Sequence, residues 1–173
     1  MDRDFNLTKK PVTPLVGVDV FIPDSESRVL LIKRTDNGFW CTPGGSQDLG
    51  ETPKECGVRE VLRWAKDKDL YTITLCHGPG ALLSTNLDAN PFIYKDYKMT
   101  VFPDTVDKQT PMIGYLPGHM PWRLCEKLTD LGVKIVNKKS DNSTCIDRKL
   151  ITGASPLAAN ELGILAANTL LQN

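Results

Sequence analysis

Apolar and polar positions along the chain fall into short, readable runs. Residues 71–75 (YTITL) are a β-branched and apolar stretch, Cys76 follows at once, and Gly78-Pro79-Gly80 leads into Ala81-Leu82-Leu83. This order predicts strand, sharp turn and helix. Upstream, the apolar runs 16–22 and 29–32 are separated by the turn-rich segment 23–27, which predicts a β-hairpin. Phe39-Trp40-Cys41 then enters Pro43-Gly44-Gly45, read as a tight turn. A helix follows with a defined start: Thr52 is the N-cap, Pro53 the first helical residue, and Glu55 closes a capping box. Val58, Val61, Leu62 and Ala65 make one apolar stripe, and the helix should end near Lys66. Beyond the elbow-like stretch, 98–102 reads as a strand, 121–131 as a helix closed by Gly132, and 133–137 as a strand. Ser155 and Pro156 cap and open a last helix with Leu162, Leu165, Ala166 and Thr169 on its apolar face.

With 173 residues, 40% of them hydrophobic and 24% charged, the chain is long enough for one compact domain with a substantial core. Lys plus Arg equals Asp plus Glu at 21 each, so no electrostatic footprint for nucleic acid or an anionic membrane is visible. The polar start has no apolar core for a signal peptide, and no run approaches the roughly 18 apolar residues of a spanning helix. A cytoplasmic location is the expectation. The cysteines, at 41, 56, 76, 125 and 145, are odd in number with no CxxC pair, and the only histidines are His77 and His119. Reduced thiols are therefore expected and a Cys/His zinc site is not.

Composition leaves Cys76 as the residue with most chemical content. A cysteine at the end of a strand, aimed at the first turn of a helix, meets free N–H groups and a helix dipole that favour its thiolate. His77 beside it is a candidate base. The plainer alternative, a small buried hydrophobe, stays open on this pattern alone. His119, in LPGHMPW, reads as a loop residue rather than a ligand, and Cys125 and Cys145 as buried or incidental.

Two family resemblances follow from longer motifs. GSQDLGETPKECGVREV fits G, five residues, E, seven residues, R-E-apolar, with WCTPGG directly before it, and resembles the Nudix hydrolases over roughly residues 12–61. That family's glutamates hold magnesium against a nucleoside-diphosphate-linked substrate. The resemblance implies Glu51 and Glu60 as ligands, but the positions of the family's next two glutamates hold Arg63 and Trp64. Magnesium wants hard oxygen donors, and a guanidinium beside it is repulsive.

From about residue 62 to the end, LRWAKDKDLYTITLCHGPGALLS, FPDTVDKQTPMIGYLPGHMPW and DRKLITGASPLAANELGILAA resemble the PfpI superfamily, in its HchA branch of glyoxalase III enzymes, protein deglycases and chaperones. The resemblance implies a flavodoxin-like α/β fold, Cys76 as nucleophile, His77 as its partner and Asp107 as the group orienting the histidine. Gly44, Gly45 and Gly78 are turn or oxyanion candidates. It implies an aldehyde or glycated substrate and no cofactor, magnesium belonging only to the Nudix alternative. Without the resemblance, Asp107 reads as a turn carboxylate capping backbone N–H groups.

The two resemblances meet inside one helix, at about residues 61–64. The expectation is a chimera of a Nudix-like fragment, 1–61, and a PfpI-like fragment, 62–173, folded into one domain. The Val18-containing hairpin would add at an edge of the PfpI-type sheet, and sheet edges left exposed would favour homo-oligomers. Three functional readings follow: a cysteine-dependent enzyme, a magnesium-dependent Nudix hydrolase, and a non-catalytic scaffold or chaperone-like binder.

Overall fold

The structure, a computed structural model, describes residues 17–23, 26–34, 37–47, 52–86, 91–114, 118 and 122–172. Val16, Glu51 and His119 lie outside the described residues. The chain divides into two compact units, 1–57 and 58–173, where the sequence had suggested one domain joined near 61.

In the N-terminal unit, β1 (Gly17–Asp19) pairs antiparallel with β4 (Gly44–Ser46), and β2 (Ile32–Lys33) with β3 (Trp40–Cys41). Among the described residues, the two apolar runs expected to form a hairpin meet only at a Pro23–Val29 bridge and where Leu30 N–H donates to Ile22 O at 2.9 Å. Their ladders run to other strands. Gly44 and Gly45, expected in a tight turn, are strand residues instead. The reason is a close approach: a Cβ on Gly44 would sit 2.3 Å from Val18 O, so this strand reaches β1 only without a side chain there.

Helix α1 (Pro53–Asp67) starts as the sequence predicts. Glu55 N–H donates to Thr52 Oγ1 at 3.3 Å, and Thr52 N–H donates back to Glu55 Oε2 at 2.8 Å. The first free N–H groups of the helix are thereby satisfied reciprocally. At its far end Leu70 N–H reaches Ala65 O, and Asp69, at φ +54°, turns the chain out of the helix.

The C-terminal unit is α/β. β5 (Thr72–Leu75) runs parallel to β9 (Leu150–Gly153), which pairs antiparallel with β8 (Thr144–Asp147). β6 (Lys98–Met99) runs parallel to β7 (Lys134–Ile135). Asn137 prolongs that pairing with its side chain, accepting from Val101 N–H at 2.9 Å and donating to Val101 O at 2.8 Å. Thr152 ties the two sheets together, its hydroxyl accepting from Thr100 N–H at 2.8 Å in a fully buried position.

Strand β9 is buried along its length and separates two apolar clusters. Leu150 joins Leu82, Tyr94, Met99, Val101, Leu124 and Leu128 on one side; Ile151 packs on the other against Leu162 and Ala166 of α4 (Ala159–Leu171). The predicted face of α4 is the buried one, and Ser155 Oγ accepts from Leu157 N–H at 3.2 Å as its cap, with a 3₁₀ turn at Pro156–Ala158 before the helix proper. Helix α2 (Asp104–Asp107) precedes α3 (Leu124–Asp130), which is shorter than the 121–131 expected. Its first N–H groups, on Cys125 and Glu126, donate to the carboxylate of Asp104 at 2.9 and 3.0 Å. No helix among the described residues is long and apolar enough to cross a membrane.

Candidate active site

Strand β5 ends at Leu75, and Cys76 takes φ +62°, a left-handed conformation that costs a non-glycine residue about 1–2 kcal/mol. Two backbone bonds hold it there: Cys76 N–H donates to Gly153 O at 2.9 Å, and Phe102 N–H donates to Cys76 O at 3.0 Å. The neighbouring strand β9 and the segment after β6 thus grip the turn from either side. Gly78 follows where the chain folds back over β5, and a Cβ on it would lie 3.2 Å from Thr74 Cβ. The helix that leaves the turn is a 3₁₀ helix, Gly78–Asn86, rather than the α-helix expected.

The elbow sets three side chains in line. Cys76 Sγ lies 3.3 Å from His77 Nδ1, and His77 Nε2 lies 2.9 Å from Asp107 Oδ2 and 3.0 Å from Oδ1. Only one tautomer serves both contacts with a neutral ring: Nε2–H donates to the carboxylate, and Nδ1 is left to accept the thiol proton. The Asp107 carboxylate, at the end of α2, is buried and committed to the histidine, not to the backbone caps of the simpler expectation. Phe102 packs its ring 4.7 Å from that of His77, tilted by 34°. This contact was not foreseen, although Phe102 opens the FPDTVDKQT stretch that carries Asp107.

The electrostatics of burial work against the expected thiolate. Burial is the largest influence on Cys76 and pushes its pKa up from the ordinary thiol value; a hydrogen bond from the His77 backbone opposes this, and the Asp107 charge adds to the rise. Burial thus favours the thiol form of Cys76, with His77 Nδ1 beside it.

The other predicted residues are dispersed. Of the three glycines, Gly78 alone belongs to the elbow; Gly44 and Gly45 are in β4 of the N-terminal unit. Glu60 Oε1 accepts from the buried Arg59 at 2.8 Å, and Arg63 donates to Thr85 O at 2.7 Å. Among the described residues no group of three or more His, Cys, Asp or Glu is arranged to hold a metal ion. With a guanidinium on Glu60, and an arginine and an indole at the next two positions of its face, these residues do not fit magnesium.

A NUDIX-domain family model matches residues 13–63. The protein/nucleic acid deglycase HchA of Pseudomonas aeruginosa (strain LESB58) is 47% identical over 133 residues, covering 75% of this chain and 46% of that protein. HchA of Staphylococcus aureus (strain MSSA476) is 45% identical over 130 residues, covering 75% and 44%. The chain spans less than half the length of these curated relatives. A crystal structure of the protein designated APC35852 is 25% identical with a TM-score of 0.57, covering 67% of this chain and 51% of that one. The fold of the matched part is the flavodoxin-like α/β fold. A match of 130 residues is longer than the stretch from 62 to the C-terminus, so it begins no later than about residue 44 and overlaps the NUDIX match. The HchA-like part thus reaches further upstream than the helix where the motifs had placed the join.

Proposed function

We propose that the chain carries a cysteine-dependent activity of the glyoxalase III or deglycase type, acting on small dicarbonyl aldehydes such as methylglyoxal or on the glycated groups they form. The observation that carries this reading is the alignment of Cys76, His77 and Asp107 at a strained strand end. His77 Nδ1 takes the thiol proton as Sγ attacks the aldehyde carbon, so the raised thiol pKa is overcome only when substrate is present. The product is a hemithioacetal. Removal of its carbon-bound proton and reprotonation at the adjacent carbon convert it to a thioester, and water releases lactate and the free thiol. Oxidation of one carbon balances reduction of its neighbour, and no redox cofactor enters. Similarity to HchA over three quarters of the chain supports this reading, and the matched NUDIX segment supports an origin by fusion of two unlike genes.

Lactate formation from methylglyoxal is the test. Turnover in the parent chain and its loss in Cys76→Ala are expected. Equal lactate production by the two proteins would refute the assignment.

A further inference from the structure

On the C-terminal unit, the end of α1, the start of β5, the turn at Tyr94–Tyr97 and the β8–β9 turn surround a cavity of about 140 Å³. Its lining includes Lys66, Asp69, Tyr94, Tyr97, Arg148 and Lys149. At roughly 30 Å³ per water, this space holds a phosphate with one or two waters.

The lining is rich in donors. Lys66 donates one hydrogen to the Tyr97 hydroxyl, and its ammonium has no carboxylate partner among the described residues. Arg148 lies 3.4 Å above the Tyr97 ring; its Nε and Nη2 bind Asp147 at 3.0 and 3.1 Å, and Nη2 also binds Asp96 O. Nη1 has no acceptor among the described residues. Tyr97 accepts from Lys66, leaving its own hydroxyl hydrogen without a described acceptor, and Tyr94 has only a 3.5 Å contact to Thr72. Both tyrosines are nearly fully buried. Lys149 stands 4.3 Å over Tyr71 and 3.4 Å from Asp69, whose side chain is 80% exposed at the rim. Three cations and two buried hydroxyls thus face a space whose lining holds one carboxylate.

We infer that this cavity binds the phosphoryl group of a small anionic ligand, at a site separate from the Cys76 centre. The donors favour phosphate over carboxylate for a geometric reason. The flat fork of Arg148 that would grip a carboxylate in two places is committed to Asp147, and the remaining donors converge from three different elements. A tetrahedral dianion uses such scattered directions; a planar monoanion leaves several of them idle.

Titration calorimetry of the full chain with inorganic phosphate, at constant ionic strength, tests the site. Saturable binding is expected, weakened at least tenfold in the Lys66→Gln/Lys149→Gln double variant and in Lys149→Gln alone to a lesser degree. Lys66 is exposed and Lys149 half-buried, and an unchanged circular dichroism spectrum shows that the variants fold. Cys76→Ala keeps the parent's affinity. Absence of saturable binding, undiminished binding in the double variant, or acetate binding as tightly as phosphate each overturns the assignment.

Discussion

Under the proposed function, Cys76 draws its reactivity from position rather than from charge. Its φ of +62° turns the chain out of the strand direction, burial raises its thiol pKa, and the proposed mechanism assigns removal of the proton to His77. In that mechanism Asp107, 2.9 Å from His77 Nε2, acts through the histidine by fixing which nitrogen carries hydrogen. Asp107→Asn offers an amide that also donates, which favours the opposite tautomer. Lactate turnover in Asp107→Asn should fall by at least about a hundredfold with the chain still folded, the lower end of what a positioned proton-transfer group contributes; turnover at the parent's rate would show that Asp107 does not orient His77. That these three side chains lie together was legible because each belongs to a long specific motif. Phe102 was not, since its stacking on His77 depends on where β6 delivers the chain, and no local pattern encodes that.

At the level of elements, local chemistry predicted well where the signal was local. The capping box of α1, the Ser155 cap and the buried face of α4 all follow from spacing over four to seven residues, and all are present. The β8–β9 pair was missed although Thr144-Cys145-Ile146 and Leu150-Ile151-Thr152 flank a polar turn, a readable hairpin signal. The N-terminal strands were assigned the wrong partners because antiparallel pairing is decided by contacts outside each run, here by the glycine approach at Gly44. Thr152 shows how a polar residue in a buried strand is fixed by the tertiary structure. Replacing it in Thr152→Val leaves the buried Thr100 N–H without its acceptor and should cost about 1–3 kcal/mol in urea unfolding. A loss below that range would mean the two sheets are not joined by this bond.

For the whole molecule, burial of thiols couples stability to alkaline pH. Burial pushes Cys125 up to about 11, against weaker hydrogen bonding from the Asp104 side. A thiol with a raised folded pKa holds its proton more tightly when folded, so its stabilisation is complete below the unfolded thiol value and is lost as pH rises towards 11. Thermal unfolding temperature should therefore decline across that interval, and less steeply in Cys125→Ala; parallel declines in both proteins would remove Cys125 as the cause. The division of the chain into units 1–57 and 58–173 also belongs to this scale. Motifs located a change of character near residue 61, whereas the length of the HchA match extends upstream of it.

The most direct test of the elbow is the pH profile of Cys76 alkylation by iodoacetamide, read by peptide mass spectrometry in the native and the urea-unfolded chain. Burial and the Asp107 charge both raise the thiol pKa, so the native profile should lie at higher pH than the unfolded one, and Asp107→Asn should move it part of the way back. Coincident native and unfolded profiles would contradict an assembled Cys76–His77–Asp107 centre.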